Sequence, residues 1–189
     1  NDYMKRTIFF MILAMSALMM QAQETDGSYS TAYHGQSVTA RFKGDVATSA
    51  LCKNKGVSIL SFGGNIGYEF LPKIYAFAHG ESAIGLHNTG GVKTYTRTTN
   101  IGGGLGYKLF VSSITGKTPS RDNSIDIYAM MAASVGNTEW KQTVYEAGLK
   151  LKIVKGLSPT LGIGFRHTNS HTAGVSNHNG VICSIGFGL

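Results

Sequence analysis

Leu60-Ser61-Phe62-Gly63-Gly64-Asn65-Ile66-Gly67-Tyr68-Glu69-Phe70 decides how this chain is read. Even positions carry Leu60, Phe62, Gly64, Ile66, Tyr68 and Phe70; odd positions carry Ser61, Gly63, Asn65, Gly67 and Glu69. Successive side chains of a strand point to opposite faces, so a period of two gives one apolar face and one small or polar face. The same pattern recurs three times. Ile101, Leu105, Tyr107 and Leu109 share a face opposite Asn100, Gly102, Gly104, Gly106 and Lys108. Tyr145, Ala147, Leu149, Leu151 and Ile153 oppose Glu146, Gly148, Lys150 and Lys152. Val181, Cys183, Ile185, Phe187 and Leu189 oppose Ile182, Ser184, Gly186 and Gly188. From Glu24 onward no window combines apolar residues at i, i+3, i+4, i+7 with caps at both ends, so the chain reads as all-β.

Two architectures accept such strands. A soluble sandwich or lipocalin-like barrel turns the apolar face inward, and a transmembrane barrel turns it to lipid. The glycines favour the second. Glycine weakens a strand and adds little solubility, so a water-facing exterior would seldom be this rich in it, whereas a narrow interior needs the room. Strands are expected at 36–50, 57–70, 74–86, 94–110, 124–136, 138–154, 157–168 and 179–189. Leu71-Pro72-Lys73 and Val154-Lys155-Gly156 read as tight turns, with a longer Ser112–Asn123 connection at the same end. Cys52–Gly56, His87–Val92, Gly136–Asn137 and Thr168–Asn177 fall at the other end, which is expected to face outward. The third strand has the weakest pattern, since Tyr75, Phe77, His79 and Glu81 share a parity.

Composition agrees. Of 189 residues 42% are hydrophobic and 14% charged, against about 25% charged in ordinary soluble domains. Twenty-five glycines are near twice the usual share of about 7%. Lys5 and Arg6 precede an uncharged run, Ile8 to Met20, which ends at Gln21-Ala22-Gln23-Glu24. A basic start, a short apolar run and a polar boundary describe a secretory signal peptide, and thirteen residues fall short of the about 20 that a spanning helix needs. Residues 1–23 are therefore expected to be cleaved near Ala22 or Gln23, with Met4 as initiator and 1–3 as upstream extension, leaving 24–189 as one domain. The boundary carries no cysteine, which argues against a lipoprotein. Cleavage leaves fifteen basic and nine acidic residues, a balance of +6. The basic residues are dispersed, without a block or an aromatic platform, and an exported chain does not meet nucleic acid.

The export signal, the strand Gly63–Phe70, the Leu71-Pro72-Lys73 turn, the similar Gly102–Tyr107 strand and the alternating C-terminal strand resemble those of small outer-membrane β-barrel proteins of Gram-negative bacteria, the OmpX/OmpA-like group. The resemblance covers about residues 36–189. It departs at Leu189, where such proteins usually end in an aromatic residue. It implies an eight-stranded antiparallel up-and-down transmembrane β-barrel behind a helical signal peptide, monomeric in the outer membrane. Its partners would be outer-membrane lipid and lipopolysaccharide, and barrel-assembly machinery acting on the C-terminal strand 179–189. It implies no enzyme and no cofactor. Eight strands enclose space that side chains fill, and a diffusion pore needs about twice as many. The lumen is thus expected to be plugged by Arg41, Lys43, Lys108, Lys150, Lys152 and Arg166 with Glu69, Glu81, Asp126 and Glu146, six bases to four acids. A structural or surface-interaction role follows.

His167-Thr168-Asn169-Ser170-His171, followed by His178, is the best lead to chemistry. A serine beside histidines suits nucleophilic hydrolysis. The run resembles in part the His-x-Ser-Asn signature of lipid A deacylase barrels, so a lipid-modifying hydrolase using His167 and Ser170 is the alternative. One residue too many separates the two, and no acidic residue follows Glu146 to orient the histidine. His167, His171 and His178 could offer imidazoles to a metal, but no cysteine or carboxylate lies near in sequence, and no metal is expected. A soluble periplasmic ligand-binding barrel is the second alternative. Gly102-Gly103-Gly104-Leu105-Gly106 lacks the spacing and the following helix of a dinucleotide fingerprint. Cys52, at an outer loop, and Cys183, mid-strand, are expected to stay too far apart to bridge. Tyr68, Tyr107, Tyr145 and Phe187 suit interfacial girdles; Trp140 suits one less, since it shares parity with the polar face.

Overall fold

The period of two builds eight strands and nothing else that is regular among the described residues. A computed structural model describes residues 42–54, 57–89, 92–112, 123–153 and 158–188. The expected signal peptide, Arg41 and Leu189 lie outside them. The strands are β1 (Phe42–Asn54), β2 (Val57–Leu71), β3 (Ile74–Thr89), β4 (Val92–Ser112), β5 (Asn123–Ser134), β6 (Gln142–Lys152), β7 (Pro159–Ser170) and β8 (His178–Gly188). Each pairs antiparallel with its sequence neighbours, and β1 also pairs with β8, so the sheet closes into a barrel with no free edge strand. Followed from Asn100 once round the ring, residue to paired residue, the register returns to β4 at Val111, eleven residues along. One of those eleven is the bulge residue Leu109. Such a stagger obliges the strands to tilt against the barrel axis.

The start of β1, the end of β8 and the β2–β3, β4–β5 and β6–β7 connections share one end, here the terminal end; the other four connections form the far end. At Pro72–Lys73 the chain reverses in two residues. Lys73 takes φ 67°, a place that glycine or asparagine usually fills, and its N–H donates to Glu69 Oε1 at 3.0 Å.

The boundaries shift from expectation in three informative places. Cys52 lies within β1 rather than in a loop, and Ala50, two residues before it, pairs with Cys183 of β8. Cys183 is free and exposed; the side chain of Cys52 lies outside the described residues. Between β5 and β6 the chain makes a seven-residue loop, 135–141, in place of the expected Gly136–Asn137 connection. Trp140 causes this, because its indole folds inward and seats in an apolar cluster. In β4, Leu109 and Phe110 both face outward, since the register slips between Lys108 and Phe110.

The apolar face points out. Leu60, Phe62, Ile66, Ile101, Ile163, Phe165 and Ile185 are each more than half exposed, up to 70% for Ile66. Phe42, Phe70, Phe110 and Phe187 extend this wall to the terminal end. Tyr68 lies against Phe42 there, 5.2 Å between centroids with the rings tilted 58°, and Tyr145 pairs with His167 toward the far end. Trp140 is fully buried and belongs to no outer girdle.

Inward faces are lined with glycine for a reason the sequence only half discloses. A Cβ on Gly106 would overlap the ring of Tyr75, and one on Gly104 would sit 2.7 Å from the Phe77 ring. Tyr75 and Phe77 of β3 therefore lie across β4, and the glycines of β4 are the space these rings occupy.

Candidate functional site

Two layers of charge fill the lumen. The first is built on Arg166. Its Nη1 and Nη2 donate to Glu81 Oε1 and Oε2 at 3.0 and 3.1 Å, and its Nε donates to Glu146 Oε2 at 2.7 Å. Strand register explains the meeting: Glu146 and Arg166 are paired residues on β6 and β7, and Glu81 reaches across from β3. Planar guanidinium matches carboxylate in a fork, so one side chain satisfies two acids. Asn100 Nδ2 donates to Glu81 Oε1 at 2.8 Å, and Tyr128 OH donates to Glu146 Oε1 at 2.6 Å. Arg166 is 1% exposed and Glu81 4%. A charge so buried persists when its partners and hydrogen bonds surround it, as they do here.

The second layer lies toward the terminal end. Lys108 Nζ sits 2.9 Å from Glu69 Oε2. Lys43 Nζ lies 3.8 Å from Glu69 and 3.9 Å from Asp126, and stands 3.8 Å over the Tyr75 ring. Tyr75 OH donates to Asp126 Oδ2 at 3.0 Å. Lys108 and Asp126 are paired across β4 and β5.

A third set links the layers along one wall. Lys150 Nζ donates to Asp45 Oδ2 at 3.0 Å, and Asn65 Nδ2 donates to Asp45 Oδ1 at 2.8 Å. Asn65 Oδ1 then faces His79 Nδ1 at 2.8 Å, which assigns that nitrogen as the donor. His79 Nε2 is 3.8 Å from Glu81. Together with the Arg166 group these contacts ring a cavity of about 80 Å³, whose wall also holds Lys152 near Gly188. Space of that kind admits water among the polar side chains that line it.

Nine of the ten expected lumen charges are thus placed inside the barrel: Lys43, Glu69, Glu81, Lys108, Asp126, Glu146, Lys150, Lys152 and Arg166. Arg41 lies outside the described residues. Asp45 was missed by the sequence reading. It shares parity with Lys43, so the signal was present, but β1 alternates too weakly to draw attention to it. Asp45 adds a fifth acid to the expected four; among the described residues the charged lumen side chains named here are five bases and five acids. The partners Asn65, Asn100, Tyr75, Tyr128 and His79 were missed as well. The first four hydrogen-bond the acids and His79 bonds Asn65, and neither period nor charge flags them.

His167 and Ser170 are not brought together. Three residues apart on one strand, they have opposite parity. His167 faces outward, beside Tyr145, with Nε2 2.9 Å from Asn169 Oδ1. Ser170 faces inward and accepts the Trp140 Nε1–H at 3.3 Å. The three histidines diverge too: His171 is exposed at the loop, 2.9 Å from Thr143 Oγ1, and His178 is buried against Trp140. Among the described residues no three His, Cys, Asp or Glu side chains are grouped to hold a metal.

The comparisons add no relative. The chain matches no protein-family model, no curated protein and no solved structure.

Proposed function

We propose that this protein is an eight-stranded outer-membrane β-barrel whose role is structural or lies in surface interaction through its far-end loops, not in general diffusion. One observation carries the reading. The barrel is inside out for water: an outer wall of Leu60, Phe62, Ile66, Ile101, Ile163, Phe165 and Ile185 surrounds a lumen packed with Arg166, Glu81, Glu146, Lys108 and Glu69. Soluble proteins rarely expose contiguous apolar patches beyond a few hundred Å². A bilayer is the solvent that suits this wall, and closure of the sheet leaves no strand edge unsatisfied in it. The outer aromatics Tyr68, Phe42, Tyr107 and Phe187 suit a headgroup girdle at the terminal end. The crossed salt bridges support a plugged lumen.

A soluble periplasmic barrel needs the apolar faces inward, the reverse of what β2, β4, β7 and β8 present. A deacylase-like use of His167 and Ser170 gains no support from residues on opposite faces of β7. Export would bring the chain to the outer membrane, with lipopolysaccharide against its outer wall and the 179–189 strand as the assembly signal. Cell fractionation tests this. Recovery in the outer-membrane fraction, resistant to salt and carbonate washes, is the expected result; recovery in the soluble periplasm would defeat the proposal.

A further inference from the structure

The far end of the lumen is closed by a device of a different kind from the salt bridges below it. Trp140, the chain's single tryptophan, turns in from the 135–141 loop and lies among Leu51, Val57, Ile59, Ala83 and Ile182, with Val175 packed on the group from the 171–177 loop. Its seat is shaped for it. Gly85 of β3 lies directly beneath, and a Cβ there would overlap the indole ring. The ring stacks beside His178 at 5.4 Å, tilted 31°, and its Nε1–H meets Ser170 Oγ at 3.3 Å. Trp140 itself belongs to the 135–141 loop and to no strand. Its backbone anchors on the sheet through a 3.4 Å bond from the Trp140 N–H to the Arg97 carbonyl.

The layer at this level is not wholly apolar. Gln142 of β6 and Thr168 of β7 are diagonal inward neighbours, 1% and 0% exposed. Neither amide atom of Gln142 nor the Thr168 hydroxyl has a hydrogen-bond partner in the protein. Buried polar atoms left unpaired cost stability, and a permanent plug would be better served by leucine and valine at these positions. Polar side chains there suit a layer that is wet for part of the time.

We propose that Trp140 is a movable stopper at the far mouth of the barrel. Seated on Gly85, it shuts the lumen. Lifted, it admits water to Gln142 and Thr168, and through them to the Arg166–Glu81 pair, with Arg166 two residues from Thr168 on the same inward face of β7. The unpaired polar atoms keep the two states close in free energy: they penalise the shut state, while indole burial favours it.

The indole is its own reporter. Iodide is charged and stays in water, so quenching of tryptophan fluorescence in the refolded protein, held in detergent micelles, reads the lifted fraction. Wild type is expected to show a quenchable population. Gly85→Ala, which fills the seat, raises it. Thr168→Val with Gln142→Leu, which removes the unpaired atoms and keeps the size, lowers the lifted fraction by about tenfold or more. Thr168→Val changes shape least and carries the test by itself if the pair does not fold, folding being checked by the strand signal in circular dichroism. An unquenched wild-type indole, or quenching that Thr168→Val leaves unchanged, would overturn the proposal in favour of a fixed plug.

Discussion

Arg166 holds Glu81 and Glu146 at once, within 3.1 Å of each, and that decides what substitution does there. Arg166→Met leaves two carboxylates facing each other away from water. Breaking a buried pair in this one-sided way costs about 3–5 kcal/mol. The expected result is a clear fall in the urea midpoint of the refolded barrel. Combining Arg166→Met with Glu81→Gln and Glu146→Gln removes the stranded charges and restores much of the loss. A triple variant as unstable as the single one would show that packing, not charge, is what Arg166 provides. The residue scale is also where the sequence was hardest to read. The acids and bases announce themselves by charge and parity, yet Asn65, Asn100 and Tyr128 look like any other strand residues. Their importance comes from register, which brings Tyr128 beside Glu146 and Asn65 beside Asp45, and register is a property of two strands rather than of one.

At the scale of the strand, the outward face makes a prediction whose size depends on the solvent. Ile66 is 70% exposed, and in water Ile66→Lys would change stability by about 0.5 kcal/mol or less. In a bilayer the same change costs about 2–4 kcal/mol near the midplane. Equilibrium folding of the variant and wild type into phosphatidylcholine vesicles measures the difference. A loss of that size supports the lipid-facing assignment of β2, and a near-neutral result contradicts it. The strands themselves were legible because alternation is a local signal: β2 was expected at 57–70 and runs Val57–Leu71. Where an inward residue is large and apolar the signal fails. Tyr75 and Phe77 make β3 look irregular because they point into the lumen, across the glycines of β4. Trp140 defeats the reading of the β5–β6 connection in the same way. Its place is set by Gly85 and Ile182, on strands remote in sequence, and no local pattern could report them.

For the whole molecule, the two faces and the closed ring have to be considered together. Each strand by itself fits a soluble or a lipid-facing barrel. Closure of β1 on β8 fixes which face is enclosed, and the enclosed face is the charged one. The barrel then has a salt-bridged interior and an apolar exterior, the combination that the proposed lipid surroundings would suit. The functional site was less legible than the fold for the same reason: the His167–His171 run is conspicuous in sequence, but pleating sends His167 and Ser170 to opposite faces, while the network that fills the barrel is scattered over seven strands. The most direct test is electrophoretic mobility in dodecyl sulfate, before and after boiling, of protein folded in detergent or lipid. The account predicts a compact, fast-migrating form without boiling and a slower, unfolded form after it. Identical mobility under both conditions, from protein that stays soluble without detergent, would contradict it.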